Sequence, residues 1–186
     1  MNPDETSAIT YQAELPLACK EMPSPSSATL ALWRQSNLAL LRGLATIESF
    51  VSPESGPEAS PAVAKALERV EAKLDITLGL LARLLAEQAE LPPALPVVLS
   101  ARRLSWQVPG RSTWVGGTEL LLQLYLSPRL PEPLRLWARI TNVEIAAEET
   151  HFSAELLDTE AEFDEWLTRT LFRYHRRALQ AGHYAG

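Results

Sequence analysis

Cysteine is nearly missing from this chain. Cys19 is the one thiol in 186 residues, so no disulfide can close within the chain and a reducing compartment is expected. Positive charge is short too: 17 Lys and Arg face 23 Asp and Glu, for a net charge of −6 and a pI near 5.2. A general binder of nucleic acid or of anionic membranes is usually basic, so neither DNA nor RNA is an expected partner. No run of about eighteen apolar residues occurs, so no membrane span is expected. Met1 to Thr10 carries acids and lacks the cationic flank and apolar centre of a signal peptide. These absences lead to the expectation of a cytoplasmic protein.

The marks of catalysis are also missing. Glycine is scarce, 8 residues in all, and no G-x-S-x-G elbow, P-loop or dinucleotide fingerprint is present. His151, His175 and His183 have no metal-ligand spacing, and Cys19 has no histidine near it in sequence. The expectation is therefore no catalytic residue, no metal and no cofactor. Glu144, Glu148, Glu149 and Glu155 read as solvated strand ends, and the five tryptophans as core or interface.

The strongest positive signal is Pro61 to Leu91. Val63, Leu67, Val70, Leu74, Thr77, Leu81, Leu84 and Leu91 recur in steps of four and three, with Gln88 in the one polar slot. That is the seam of a coiled coil, where a residue meets a partner helix about every 3.5 positions. About thirty residues make a rod of roughly 45 Å. Ser60-Pro61 is a fitting start, and Pro92, Pro93 and Pro96 end it. Glu71 and Lys73 flank the first half of the seam. Leu78, Leu80 and Leu85 flank the second, which is too wide for two helices alone. Self-association along this seam is expected; the other reading is a core helix buried within a single chain.

Before the rod, Ile9 to Leu17 alternates as a strand, and a helix is predicted from about Ala28 to Val51. Its apolar face is Leu30, Trp33, Leu40, Leu41, Leu44, Ile47 and Phe50, with Ser27 as N-cap. Gly43 inside it points to a close neighbour or a local break. After the rod the texture turns to β. Short strands at Val97–Leu99, Leu104–Trp106, Leu120–Leu126, Leu134–Val143 and Phe152–Leu156, with turns such as Gly110 between them, predict a small antiparallel barrel. A last helix from about Glu160 to Ala181 carries Phe163, Leu167, Leu171, Tyr174 and Ala178 on one face, capped by Asp158 or Thr159. The fold class is α+β. Residues 1–27 hold a tail and first strand, 28–91 a helical insertion, and 92–186 the barrel and closing helix.

From Pro96 onward the order of features resembles the PilZ domain, a family of bacterial cyclic di-GMP receptors. Leu99-Ser100 with Leu104-Ser105-Trp106 is similar to the surroundings of that family's D/N-x-S-x-x-G motif. Val115-Gly116-Gly117-Thr118 leading into Leu120 to Leu126 is similar to its glycine-led strand. His151 to Leu157 running into the Phe163 helix is similar to its closing strand and helix. A first strand and a long heptad helix ahead of the barrel resemble the atypical, tetrameric branch. The resemblance implies a homotetramer and a non-enzymatic signalling protein of motility or virulence regulation, with other signalling or motility proteins as partners.

The departures fall on the ligand motifs. No two arginines four apart precede Pro96, where Arg34, Arg42, Arg69 and Arg83 stand. Ser100 is kept, but Val98 replaces the Asp or Asn and Arg103 the glycine. Valine cannot hydrogen-bond a guanine edge. The usual cyclic di-GMP site is thus expected to be lost, leaving Ser100, Arg102 and Arg103 as a degenerate nucleotide motif. The alternative is a receptor that binds the nucleotide through Arg102, Arg103 and a stripe of Arg169, Arg173 and Arg177. Arg135 and Arg139 read as an outward, solvated barrel face, and the Arg169 stripe as a helix flank paired with acids such as Glu165.

Overall fold

The computed structural model describes residues 9–49, 69–70, 72–74, 76–77, 80, 91–127 and 132–183. Six strands form a closed antiparallel barrel: β1 (Tyr11–Glu21), β2 (Ala94–Leu99), β3 (Arg103–Pro109), β4 (Glu119–Leu124), β5 (Leu134–Ile145) and β6 (Glu149–Leu156). Around the barrel the order is β1-β2-β3-β6-β5-β4. Two helices pack on it, α1 (Ser27–Ser49) and α2 (Ala161–His183).

Closure depends on β1. Tyr11 to Pro16 pair with β2, and Leu17 to Glu21 pair with β4 on the other edge. Pro16 sits at the change of partner, a place in a strand where a residue without an N–H is tolerated. Its carbonyl still accepts from the Tyr125 N–H at 3.1 Å. With both edges paired, the described barrel leaves no open strand edge.

Alternation fills the inside. Leu15, Leu17, Val97, Leu99, Leu104, Trp106, Leu120, Leu122, Leu124, Ile140 and Phe152 all point inward and are buried. Trp106 stacks on Phe152 with ring centroids 5.2 Å apart, and Trp114 meets Phe152 edge-on at 5.7 Å. Ala154, two residues along β6 from Phe152 and opposite Leu104, is a small inward residue beside these rings. β5 slips register between Ile140 and Asn142, a bulge that period-two reading does not predict. The extra Thr141 sends its hydroxyl to the Ser153 carbonyl at 3.0 Å.

Both helices join the same core, α1 through Leu40, Leu41 and Leu44 and α2 through Phe163, Leu167 and Leu171. The predicted apolar face of α1 omits Asn37, which is 5% exposed. Its amide donates to the Arg135 carbonyl and accepts from the Arg135 N–H, both at 2.9 Å. One side chain thus continues the β5 ladder and pins α1 to the barrel.

Several local expectations are corrected. The cap of α1 is Ser26, not Ser27: its hydroxyl accepts the Thr29 N–H at 3.2 Å. Among the described residues, apart from the helix's own backbone, no heavy atom lies within 4 Å of where a Gly43 Cβ would stand, and the helix runs on through it. Asp158 is drawn away from capping α2. It adopts a left-handed φ of 57° and its carboxylate accepts from Arg34. Gly110 and Gly117 hold φ of 77° and 90°, which explains glycine at both turns.

Candidate functional site

The residues of the degenerate nucleotide motif lie along β2 and its turn into β3. Ser100 is spent on that turn. Its N–H donates to the Arg103 carbonyl at 2.9 Å, and its hydroxyl accepts the Arg103 N–H at 3.0 Å while lying 3.2 Å from the same carbonyl. A serine here tightens a hairpin whatever the ligand. Arg103 stands where the resemblance places a glycine, yet it needs no positive φ, since Asp158 alone among described non-glycine residues has one. The Arg102 guanidinium reaches Asp164 at 3.2 Å with a side chain 77% exposed.

Val98 faces outward and is 38% exposed. Gln12 lies opposite it on β1 and Ser105 on β3, and the row continues to Ser153 and Asn142. This row floors a groove of about 230 Å³, with Gln107, Glu144 and His151 at its side. Several polar groups of the groove are already paired. Ser105 and Ser153 share a hydrogen bond of 2.9 Å, and the Asn142 amide donates to Glu144 at 2.9 Å. His151 meets Glu149 at 2.8 Å. No lysine or arginine is among the described residues lining it, so nothing there neutralises a phosphate. The structure brings Val98 to the groove floor and leaves Ser100, Arg102 and Arg103 at the adjoining turn.

The remaining arginines face acids. Arg34 binds Asp158 and, at 2.7 Å, Glu160, while Arg42 binds Glu162. The Asp158 hydrogen bond raises the pKa of Arg34 further. Sequence reading offers Asp158 as a cap of α2 and gives Glu160 and Glu162 no partner on another element. Their pairing with α1, distant in sequence, carried no local signal. Arg135 lies 3.4 Å from Glu132, and Arg139 lies 2.8 Å from Glu119. That bond, then one from Ser24, holds the Glu119 carboxyl below the usual range. Arg169 pairs with Glu165 at 2.5 Å and stacks at 5.6 Å over Trp166, which Arg42 approaches from 5.8 Å. Arg173 donates to the Thr170 hydroxyl at 3.1 Å, and Arg177 also has a partner. The solvated readings of Arg139 and Arg169 agree with these partners, whereas Arg135, with its side chain 31% exposed, lies against α1 and donates to the Ser36 hydroxyl at 3.3 Å. Among the described residues no group of three His, Cys, Asp or Glu side chains could hold a metal.

Of the predicted seam, Val70, Leu74, Thr77 and Leu91 are described; Val63, Leu67, Leu78, Leu81, Leu84 and Leu85 lie outside the described residues. Arg69, Val70, Ala72 to Leu74, Ile76, Thr77 and Leu80 are helical, and every one is exposed in the single chain. Val70 is 52% exposed, Leu74 56%, Ile76 65% and Leu80 55%. Four large apolar side chains thus stand on the surface of the single chain within these described residues. The alternative of a helix buried within its own chain does not hold for these residues.

Comparison with known proteins places this geometry. A crystal structure of a pathogenic protein from Xanthomonas campestris, described as a new tetrameric PilZ domain self-assembled via an unusual helical bundle, superposes with a TM-score of 0.72. It is 25% identical, over 94% of this chain and 92% of that one. The Bacillus subtilis inhibitor of motility MotI/DgrA aligns over 45% of this chain and 42% of its own, at 14% identity and a TM-score of 0.38, too slight to carry an argument. No curated protein sequence matches. The family model described as "Atypical PilZ domain, cyclic di-GMP receptor" matches residues 41–183. With β1, which closes the barrel, lying ahead of that match, this chain belongs to the atypical PilZ domain family.

Proposed function

We propose that this protein is a non-enzymatic signalling adaptor. In this reading the helical insertion of residues 28–91 gathers several copies, each presenting a PilZ barrel to other signalling or motility proteins. The observation that carries it is the set Val70, Leu74, Ile76 and Leu80, apolar, helical and exposed in the single chain. Further support comes from the Xanthomonas neighbour, whose tetramer is described as self-assembled through a helical bundle. Four copies, joined along Val63 to Leu85, is the state we propose, and virulence or motility regulation in the cytoplasm is its setting. A lone thiol fits that compartment.

The adaptor reading takes the usual cyclic di-GMP site to be lost. Val98 offers no hydrogen bond, the Ser100 hydroxyl serves its own turn, and the described groove lining has no cation. Calorimetry of the full chain with cyclic di-GMP tests this: the adaptor reading expects no heat at millimolar nucleotide. A second reading is favoured by the family description and by Arg102, whose exposed guanidinium meets Asp164. On that reading the nucleotide binds through Arg102, Arg103 and the Arg169 stripe. Saturable heat that disappears in Arg102→Ala would establish it.

A further inference from the structure

Acids on the helices and on β4 are matched by arginines. Arg34, Arg42, Arg102, Arg139 and Arg169 each meet a carboxylate. Beside the groove on β3, β6 and β5 that matching stops. The Glu144 carboxylate accepts from the Asn142 amide, and Glu149 meets His151, so neither of these partners is a lysine or arginine. Glu144, Glu148 and Glu149 are all exposed on one hairpin. Arg111 follows Gly110, whose N–H donates to the Glu148 carbonyl, but it is not among the described residues lining the groove.

The groove joins two kinds of surface. The exposed Val98 and Pro96 give it an apolar patch, and Gln12, Gln107, Ser105 and Glu144 set acceptors around it. Its volume, about 230 Å³, is below the roughly 300–1,000 Å³ of a drug-sized pocket, so it suits one long side chain better than a dinucleotide. An apolar patch beside acceptors fits a methylene stem that carries a cationic head. A guanidinium brings five donors in a planar fork and needs no donor in return. The Glu144 carboxylate can take such a donor beside the one from Asn142. Residues 1–8, just ahead of the strand that supplies Gln12, carry Asp4 and Glu5 and no lysine or arginine, so that segment does not complement the groove.

We infer that this groove docks an arginine from an extended segment of a partner protein. This inference rests on the adaptor reading and names the barrel surface and the partner chemistry that reading leaves open. The test is fluorescence anisotropy of the full chain with a labelled pentapeptide of alternating glycine and arginine. The same peptide with citrulline in place of arginine is the neutral control. The parent, Glu144→Gln, Val98→Arg and Glu165→Gln are compared, with thermal melting of each. Saturable binding of the arginine peptide is expected, at least about tenfold weaker in Glu144→Gln and Val98→Arg and equally weakened by citrulline. Glu165→Gln, which removes the same charge on α2, should bind like the parent. If no saturation occurs at millimolar arginine peptide while cyclic di-GMP gives no heat, the adaptor reading stands and this inference alone is wrong. Equal weakening in Glu144→Gln and Glu165→Gln would also overturn it, by showing a general pull of the net charge. If cyclic di-GMP displaces the bound peptide, the adaptor reading itself fails and this inference with it. Should Val98→Arg not fold, Glu144→Gln decides.

Discussion

The barrel and the helical stretch from Arg69 to Leu80 make opposite use of the same kind of residue. In the barrel, leucines such as Leu99, Leu120 and Leu134 are 0% exposed, and each strand has a partner on both edges. In the helical stretch, Leu74 and Leu80 stand more than half bare. The barrel satisfies its apolar surface within one chain, and the stretch does not. Folding and assembly should therefore separate: changes in one region should move melting, and changes in the other should move mass.

The largest expected effect lies in the barrel. Trp106→Ala removes a ring stacked on Phe152 and leaves a cavity, costing about 3–5 kcal/mol. Melting followed by circular dichroism should fall by about 10 °C for a chain of this size. Next is Cys19 on β1, whose thiol burial pushes up to about 12 from 9.0. At neutral pH its alkylation by iodoacetamide should be roughly a thousandfold slower in the folded protein than in urea. Because the folded thiol holds its proton while the unfolded one loses it, Cys19 contributes stability below about pH 9 that is lost as pH rises toward 12. Alkylation at equal rates in both states would show that this side of the barrel is open.

Asn37→Ala comes third. It strands the buried Arg135 backbone pair and should cost about 1–3 kcal/mol in urea unfolding. The smallest effect is at Gly43. In a Leu74→Asp background, where copies are kept apart, Gly43→Ala should raise subunit stability by about 0.5–1 kcal/mol. A loss there would mean that the open space beside Gly43 is not open in the subunit.

Strand positions were legible because alternation is local. Leu120, Leu122 and Leu124 point inward as their spacing requires, and Phe163, Leu167 and Leu171 share one helix face. What escaped reading depended on contacts between distant residues. The predicted apolar face omits Asn37 because its partner, the Arg135 backbone, lies 98 residues away. Arg34 and Arg42 read in the sequence only as lacking the four-residue spacing of a ligand grip; their acids follow more than a hundred residues later, so the ion pairs leave no local trace. Ser100 shows the limit at the site itself. The motif kept the serine, and nothing in its spacing revealed that the hydroxyl already closes the turn with Arg103. Ser26 displaced Ser27 as cap because either serine could cap, and only backbone geometry selects one.

The separation of a self-sufficient barrel from an unfinished helix comes down to the mass of the protein in solution. Sedimentation equilibrium of the full chain should return four times the 20.6 kDa of one copy, and Leu74→Asp should return a single copy with the barrel's melting unchanged. A parent protein that holds at 20.6 kDa across micromolar concentrations would contradict it.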